Sequence, residues 1–322
     1  MEEHEKIDAD SSDNSNTEDI NTKIQQNPEE HKQERKNKTK QTAHTPKMNA
    51  PSSFEDIKKK LQQNISEPKF ERKLPISGGD YIGTGIDGLD ELFTLGIPKG
   101  SSVLCVGGPG SGKTIFCLQT LYEAAKAGEK VFYITLEEKP ERLKQHMKDF
   151  GMDVEPFEKK GTFIIKRFSP IDITRQIDAM LEQTKGELLI DLKPLLFPKG
   201  FKPDRIAVDS LSAIAAALFG KDESYRIYIE QLFNLLHEMG STSFLISETP
   251  DPLLKLSISG AEEFLADGVL IFYNVRHGNM RESAFEVLKM RGSGFKKKIV
   301  AMQIQSDKGI VVYPDQEVFT TI

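Results

Sequence analysis

The sequence predicts an α/β fold: a mixed, mostly parallel sheet flanked by helices, with a C-terminal antiparallel extension. Three observations carry this. Gly107-Gly108-Pro109-Gly110-Ser111-Gly112-Lys113-Thr114 stands between an apolar run and an amphipathic one. Strand-like and helix-like stretches then alternate along the chain. From Gly268 onward, strand-like runs follow one another across Gly and Asn turns, the pattern of antiparallel pairing.

The chain has 322 residues, and its first fifty hold no aromatic side chain and few aliphatic ones. So little apolar surface cannot offset chain entropy, and residues 1–72 are expected to be a disordered charged tail. Within it a short amphipathic helix is predicted near 53–65, where Ser53 offers a cap and Phe54, Ile57, Leu61 and Ile65 recur at helical spacing. The tail is acidic through Glu30 and basic from Lys32 to Lys47, a run that can dock on nucleic acid or on acidic protein, and an unidentified regulatory protein partner is expected there rather than nucleic acid. Residues 73–322 read as one domain.

Its elements follow in order. Ser101 to Val106 is an apolar run ahead of the glycines, the form of a buried strand. Ile115 to Ala127 carries apolar residues at Ile115, Leu118, Leu121, Tyr122 and Ala125, one helix face. Val131 to Thr135 reads as a strand ending in Leu136-Glu137-Glu138, and Pro140 opens a helix that runs to Phe150 and closes at Gly151. A strand at Ile164-Ile165 and a helix from Ile171 to Leu181 come next, and residues 187–202, with two prolines and mixed polarity, read as an irregular insertion. Asp204 to Asp209 is an apolar strand ending in an acid. A helical region from Ser210 to Met239, interrupted near Gly220-Lys221-Asp222, leads to a strand at Ser243 to Ser247. Gly268–Val275, Ala284–Met290, Lys298–Gln305 and Ile310–Val312 complete the series.

The glycine-rich segment has the chemistry of a phosphate cradle. Its glycines let successive backbone N–H groups turn toward phosphate oxygens, and the helix that follows aims the positive end of its dipole at the same point. Lys113 supplies a mobile cation for the β and γ phosphates. The Thr114 hydroxyl is left for Mg²⁺, which keeps most of its ligands as water and phosphate oxygen. Asp209, at a strand end downstream, has the form of the second nucleotide motif, an acid reaching the Mg²⁺ shell through water. Glu137 and Glu138 stand at a strand's carboxyl end, the edge where open parallel sheets bind ligands.

Thr84-Gly85-Ile86-Asp87-Gly88-Leu89-Asp90, the glycine-rich loop, Leu136-Glu137-Glu138, Ala266-Asp267-Gly268-Val269 and Lys289-Met290-Arg291-Gly292-Ser293 occur in that order. In this combination, over about residues 80–314, the chain resembles the KaiC-like branch of the RecA-type ATPases. The resemblance implies ATP or ADP with Mg²⁺, held between neighbouring subunits of a homo-oligomeric ring, usually a hexamer. It implies that Glu137 and Glu138 activate the attacking water, and that Lys289 and Arg291 reach the γ phosphate held by the next subunit. It also implies a nucleotide pocket drawn from Gly108, Pro109, Gly110, Ser111, Gly112, Lys113, Thr114 and Ile115, with Asp149, Lys289, Met290, Arg291, Ser293, Ser306 and Asp307. Relatives often place a histidine where this chain has Phe295, which removes one polar contact. Glu263 and Phe264 occupy the positions at which the clock member of the family phosphorylates itself, so autokinase activity is not expected.

Composition narrows the function classes. A formal net charge of −6 excludes a general polyanion binder. Cys105 and Cys117 lie on apolar runs without metal-ligand spacing, as suits a reducing compartment. No apolar run is long enough to span a bilayer and MEEHEK lacks a signal-peptide pattern, so a cytoplasmic protein with no membrane contact is expected. The expected function is an ATP-hydrolysing ring switch. A RadA- or RecA-like DNA recombination accessory is a second reading, disfavoured because the loops Phe219–Arg226 and Pro250–Gly260 hold only Lys221, Arg226 and Lys255 as cations against Asp222, Glu223 and Asp251. A nucleotide-binding scaffold with negligible hydrolysis is the third.

Overall fold

The computed structural model describes residues 70, 74–75, 79–183, 196–218, 222–250, 252, 255–257, 259–277 and 280–318. The tail apart from residue 70, with its predicted helix near 53–65, and residues 187–195 of the predicted insertion lie outside them.

A small antiparallel pair, β1 (Tyr81–Ile82) and β2 (Ile97–Pro98), precedes the main sheet. That sheet is built from β3 (Ser102–Gly107), β4 (Val131–Thr135), β5 (Phe163–Arg167), β6 (Arg205–Asp209), β7 (Thr242–Glu248), β8 (Gly268–His277), β9 (Met280–Met290), β10 (Ile299–Gln305) and β11 (Gly309–Glu317). Its strand order is β11-β10-β9-β8-β3-β7-β6-β4-β5. Strands β8, β3, β7, β6, β4 and β5 run parallel, whereas β9, β10 and β11 are added antiparallel. The mixed sheet with its antiparallel extension is therefore present as expected.

The helices are α1 (Lys113–Lys126), α2 (Pro140–Asp149), α3 (Glu155–Lys159), α4 (Pro170–Gln183), α5 (Leu211–Ala217), α6 (Asp222–Met239) and α7 (Glu262–Leu265). Strands β3, β4 and β6 are buried at every position, because apolar layers cover both faces of the sheet. One layer joins Phe116, Cys117 and Leu121 of α1 to Val103, Cys105, Phe244 and Ile246. Phe116 anchors it, with its ring 5.5 Å from Phe244 and 5.2 Å from Phe272. The other layer joins Leu104, Val106, Val208 and Leu245 to Tyr228, Leu232 and Leu236 of α6. Cys105 and Cys117 are both buried free thiols. Among the described residues no helix is long and apolar enough to cross a membrane.

Short elements escape the sequence periodicities. β1, β2, α3 and α7 are two to five residues long and hold too few positions to show a period. β9 and β11 also run well past their apolar cores, since hairpin pairing carries polar residues such as Arg281 and Glu282 into the ladder.

The turn at residues 84–90 is knitted by Asp90, which is 2% exposed. Its carboxylate accepts hydrogen bonds from the Thr84 N–H and hydroxyl, both at 2.8 Å, and from the Gly85 N–H at 3.3 Å. The Val312 N–H of β11 donates to the Asp87 carbonyl at 2.9 Å. Gly88 has φ +76°, and a Cβ there would lie 1.9 Å from the Val312 carbonyl oxygen. Gly88→Ala is therefore expected to lower stability by about 2 kcal/mol or more, through a left-handed backbone and a broken contact with β11. Urea unfolding checks this, and an unchanged midpoint would contradict the packing described.

Candidate active site

The carboxyl ends of β3, β4, β6 and β7 lie side by side, with Gly107 paired to Glu248 and Thr135 to Asp209. After β3 the chain enters the phosphate loop. Gly110 and Gly112 take φ +72° and +100°, and Gly112 caps α1 in the left-handed conformation. A Cβ at Gly107 would sit 2.4 Å from the Phe272 carbonyl oxygen, so only glycine lets β3 turn here. Lys113 is 4% exposed; its Nζ donates to the Gly108 carbonyl at 2.8 Å and pairs with Glu248 Oε1 at 3.4 Å.

Asp209 Oδ2 is the meeting point of the site. It accepts the Thr114 hydroxyl at 2.8 Å and the Tyr133 hydroxyl at 2.6 Å. Burial pushes the Asp209 carboxyl up to about 6, with the Glu137 charge acting in the same direction, while the Tyr133 and Thr114 hydrogen bonds and Lys113 pull it back.

The two acids after β4 are set apart. The Ser210 hydroxyl donates to Glu137 Oε1 at 2.6 Å and accepts from the Ala213 N–H at 3.3 Å, so one side chain caps α5 and fixes the Glu137 carboxylate. Glu138 instead pairs with Arg142 Nε at 3.3 Å and lies 3.9 Å from His146 Nδ1, both on α2. Its backbone is closed against β4 by reciprocal bonds with the Thr135 hydroxyl.

The residues fit a nucleotide polyphosphate and a hard cation. The Ser111 hydroxyl in the loop is fully buried with no hydrogen-bond partner, and the space beside Gly110 is open. Thr114 and Asp209 present a hydroxyl and a carboxylate together, the oxygen donors Mg²⁺ prefers. Among the described residues no three His, Cys, Asp or Glu side chains form a metal cluster, and Mg²⁺ at a phosphate site needs none.

Ile115 lies in the first turn of α1, packed against the apolar layer. Asp149, at the end of α2, accepts from Gln145 Nε2 at 2.8 Å. The turn between β10 and β11 stands beside it: a Cβ on Gly151 would lie 3.1 Å from the Asp307 carbonyl oxygen, and Asp307 itself has φ +67°. The Asp307 backbone thus approaches the chain two residues beyond Asp149.

Lys289, Met290, Arg291 and Ser293 do not join them. Gly268 pairs with both Val103 and Met290, whereas Gly107 pairs with Phe272. Lys289 and Arg291 therefore sit at the opposite edge of the sheet, about 13 Å along the strand from the phosphate loop. There Lys289 Nζ donates to the Glu263 and Ala266 carbonyls at 2.9 and 2.6 Å, and Arg291 Nη2 donates to the Phe264 carbonyl at 3.1 Å. Burial and the neighbouring Arg291 charge lower the Lys289 ammonium below its ordinary value. Ser293 is close by, next to Gly294, which accepts from the Thr94 N–H. Phe295 bridges to Phe93 and packs on the apolar layer rather than facing the loop.

Tyr133, Ser210 and Glu248 were not singled out by sequence as parts of the site. Only Glu248, as a polar residue ending an apolar strand, left a local signal. Tyr133 and Ser210 reach their partners across 76 and 73 residues.

Comparison with known proteins gives consistent results. The family model described as "ATPase: KaiC" matches residues 82–317. A UPF0273 protein of Pyrococcus horikoshii is 32% identical over 236 residues, covering 72% of this chain and 94% of its own. The circadian clock protein KaiC3 of Synechocystis is 35% identical over 231 residues; the match covers 72% of this chain but only 45% of the clock protein, less than half its length. A crystal structure of a KaiC-like protein of Pyrococcus horikoshii superposes with a TM-score of 0.59 at 32% identity, covering 74% of this chain and all of that one.

Asp209 ties pH to stability. Its folded value of about 6 lies above its ordinary 3.8. The fold therefore carries no penalty from this group below pH 4, and loses stability as pH rises through 6. The shift of about two pH units sets an upper limit of about 3 kcal/mol. In protein stripped of nucleotide and metal, Asp209→Asn should raise the thermal midpoint by several degrees at pH 8, with the gain shrinking toward pH 4. A gain independent of pH would sink this account of Asp209.

Proposed function

This chain belongs to the KaiC family of ATPases, and on that premise we propose that it binds and hydrolyses Mg²⁺-ATP at sites completed by a second copy of itself. The observation that carries the proposal is the convergence of Lys113, Thr114, Asp209 and Glu137 at one edge of the parallel sheet. That convergence supplies a cradle, a cation and a carboxylate where phosphoryl chemistry needs them.

Backbone N–H groups of the phosphate loop and Lys113 hold the polyphosphate. Thr114 and Asp209 would hold Mg²⁺. Mg²⁺, when bound, neutralises charge on the β and γ phosphates. Glu137, oriented by Ser210, positions the attacking water and accepts its proton. Glu138 is occupied by Arg142 and serves as a supporting charge. For Lys289 and Arg291 to reach a γ phosphate, the phosphate must belong to another subunit, since their own loop lies at the far edge of the sheet. This supports a ring assembly, taken as a hexamer, in which nucleotide and subunit contacts are thermodynamically linked. The biological output is a regulatory switch acting through a protein partner at the tail. The work is cytoplasmic and involves neither nucleic acid nor membrane.

Two results are expected. Glu137→Gln should keep Mg²⁺-ATP affinity and slow phosphate release roughly hundredfold or more; release at the unaltered rate would remove Glu137 from its role. Lys113→Ala and Arg291→Ala chains should each be inactive alone. Mixed before assembly, they should regain activity, because some interfaces then pair an intact loop with an intact Arg291. Mixtures that never exceed either parent would rule out a shared site.

A further inference from the structure

Glu262, the first residue of α7, is 0% exposed and places a carboxylate inside the protein. The Tyr225 hydroxyl donates to its Oε1 at 2.6 Å and the Ser259 hydroxyl to its Oε2 at 2.5 Å. Burial pushes the carboxyl up, but the hydrogen bonds from Ser259 and Tyr225 outweigh it and leave the group below its ordinary value, hence charged at neutral pH. Tyr225 is buried on α6, which packs on the sheet through Tyr228, Leu232 and Leu236. The segment ahead of α7 is closed on itself: the Ser257 hydroxyl donates to the Glu263 carboxylate and accepts from the Gly260 N–H at 3.1 Å.

An apolar side chain would avoid the desolvation that this carboxylate carries. What α7 supports gives the charge a purpose. The helix is a single turn, too short to hold its own geometry, and its Phe264 is 75% exposed. Leu265 and Ala266 fix its end in the apolar layer, and Glu262 fixes its start on α6. Between these anchors lie the Glu263 and Phe264 carbonyls, which together with that of Ala266 receive Lys289 and Arg291. We infer that Glu262 is a positioning residue for Lys289 and Arg291: by tying α7 to Tyr225 it sets the carbonyl platform from which both cations reach a neighbouring subunit's phosphate. The inference rests on the shared-site reading proposed for these cations and adds a residue that touches neither nucleotide nor metal. A glutamine would keep the shape, but it exchanges an acceptor oxygen for a donor and removes the charge that strengthens both hydrogen bonds.

The test mixes subunits of the full 322-residue chain. Alone, Glu262→Gln should keep its affinity for Mg²⁺-ATP within about twofold, because its own phosphate loop is untouched. It should release phosphate roughly tenfold more slowly, the effect of weakening one charge-assisted hydrogen bond. Mixed before assembly with an excess of Lys113→Ala chains, whose α7 and cations are intact, each Glu262→Gln chain should recover most of the lost rate. An excess of Arg291→Ala chains should bring no recovery, because neither partner then supplies a correctly placed pair of cations. A loosened fold would go unrescued by either partner. Tyr225→Phe removes one donor and keeps the carboxylate. It should repeat the pattern with a slowing of roughly threefold, and it serves as the test if Glu262→Gln does not fold. Recovery with both partners or with neither, or an unaltered rate in the unmixed variant, overturns the inference alone. If Lys113→Ala and Arg291→Ala chains mixed with each other regain no activity, the shared-site reading fails and the inference falls with it.

Discussion

One buried oxygen, Asp209 Oδ2, organises the site. Thr114 reaches it from α1 and Tyr133 from β4, while Asp209 itself closes β6, so three segments remote in sequence are pinned within hydrogen-bond length. Burying a carboxylate in an apolar layer is unfavourable, and two hydroxyl donors offset only part of that cost, as its raised pKa records. A protein optimised for stability alone would place a neutral group here. The tension is the usual mark of a residue kept for chemistry rather than folding.

The sheet separates groups that the proposed mechanism requires to act together. The cradle, the metal donors and Glu137 lie at the carboxyl ends of the parallel strands, whereas Lys289 and Arg291 lie at the amino ends, braced on the carbonyls of α7. Ser102, at the start of β3, donates its N–H to Asp267 Oδ2, and Arg291 Nη1 lies 3.4 Å from Asp267 Oδ1. The strand that ends in the phosphate loop therefore begins at the base of the cations, and β3 runs from the Lys289–Arg291 edge of the sheet to the phosphate-loop edge. Rigid burial of that strand transmits its position from one edge to the other.

Legibility in the sequence followed the range of the interactions. The phosphate loop was readable because its conformation depends on glycines within eight consecutive positions, and the buried strands because two covered faces leave continuous apolar runs. The distinction between Glu137 and Glu138 was not readable. It depends on Ser210, which comes alongside only when β6 pairs with β4, and on Arg142 and His146, one and two turns along α2. Gln119 of α1, whose side-chain amide bonds to the Lys308 carbonyl and the Ile310 N–H, gave no signal either, since a glutamine on a helix is ordinarily a solvated residue and these partners are 189 and 191 positions away. The four-residue α7 is below the length at which any periodicity exists, yet it holds both distant cations.

The amide of Gln119 and the carbonyl of Asp87 also occupy outward-facing backbone groups of β11, at Ile310 and Val312. At the other end of the sheet, β5 is only five residues long and carries exposed Lys166 and Arg167. Both margins are thus poor templates for a further strand, one occupied at Ile310 and Val312 and the other short and cationic. The ring proposed above would instead join chains through surfaces at the strand ends, not by extending a ladder.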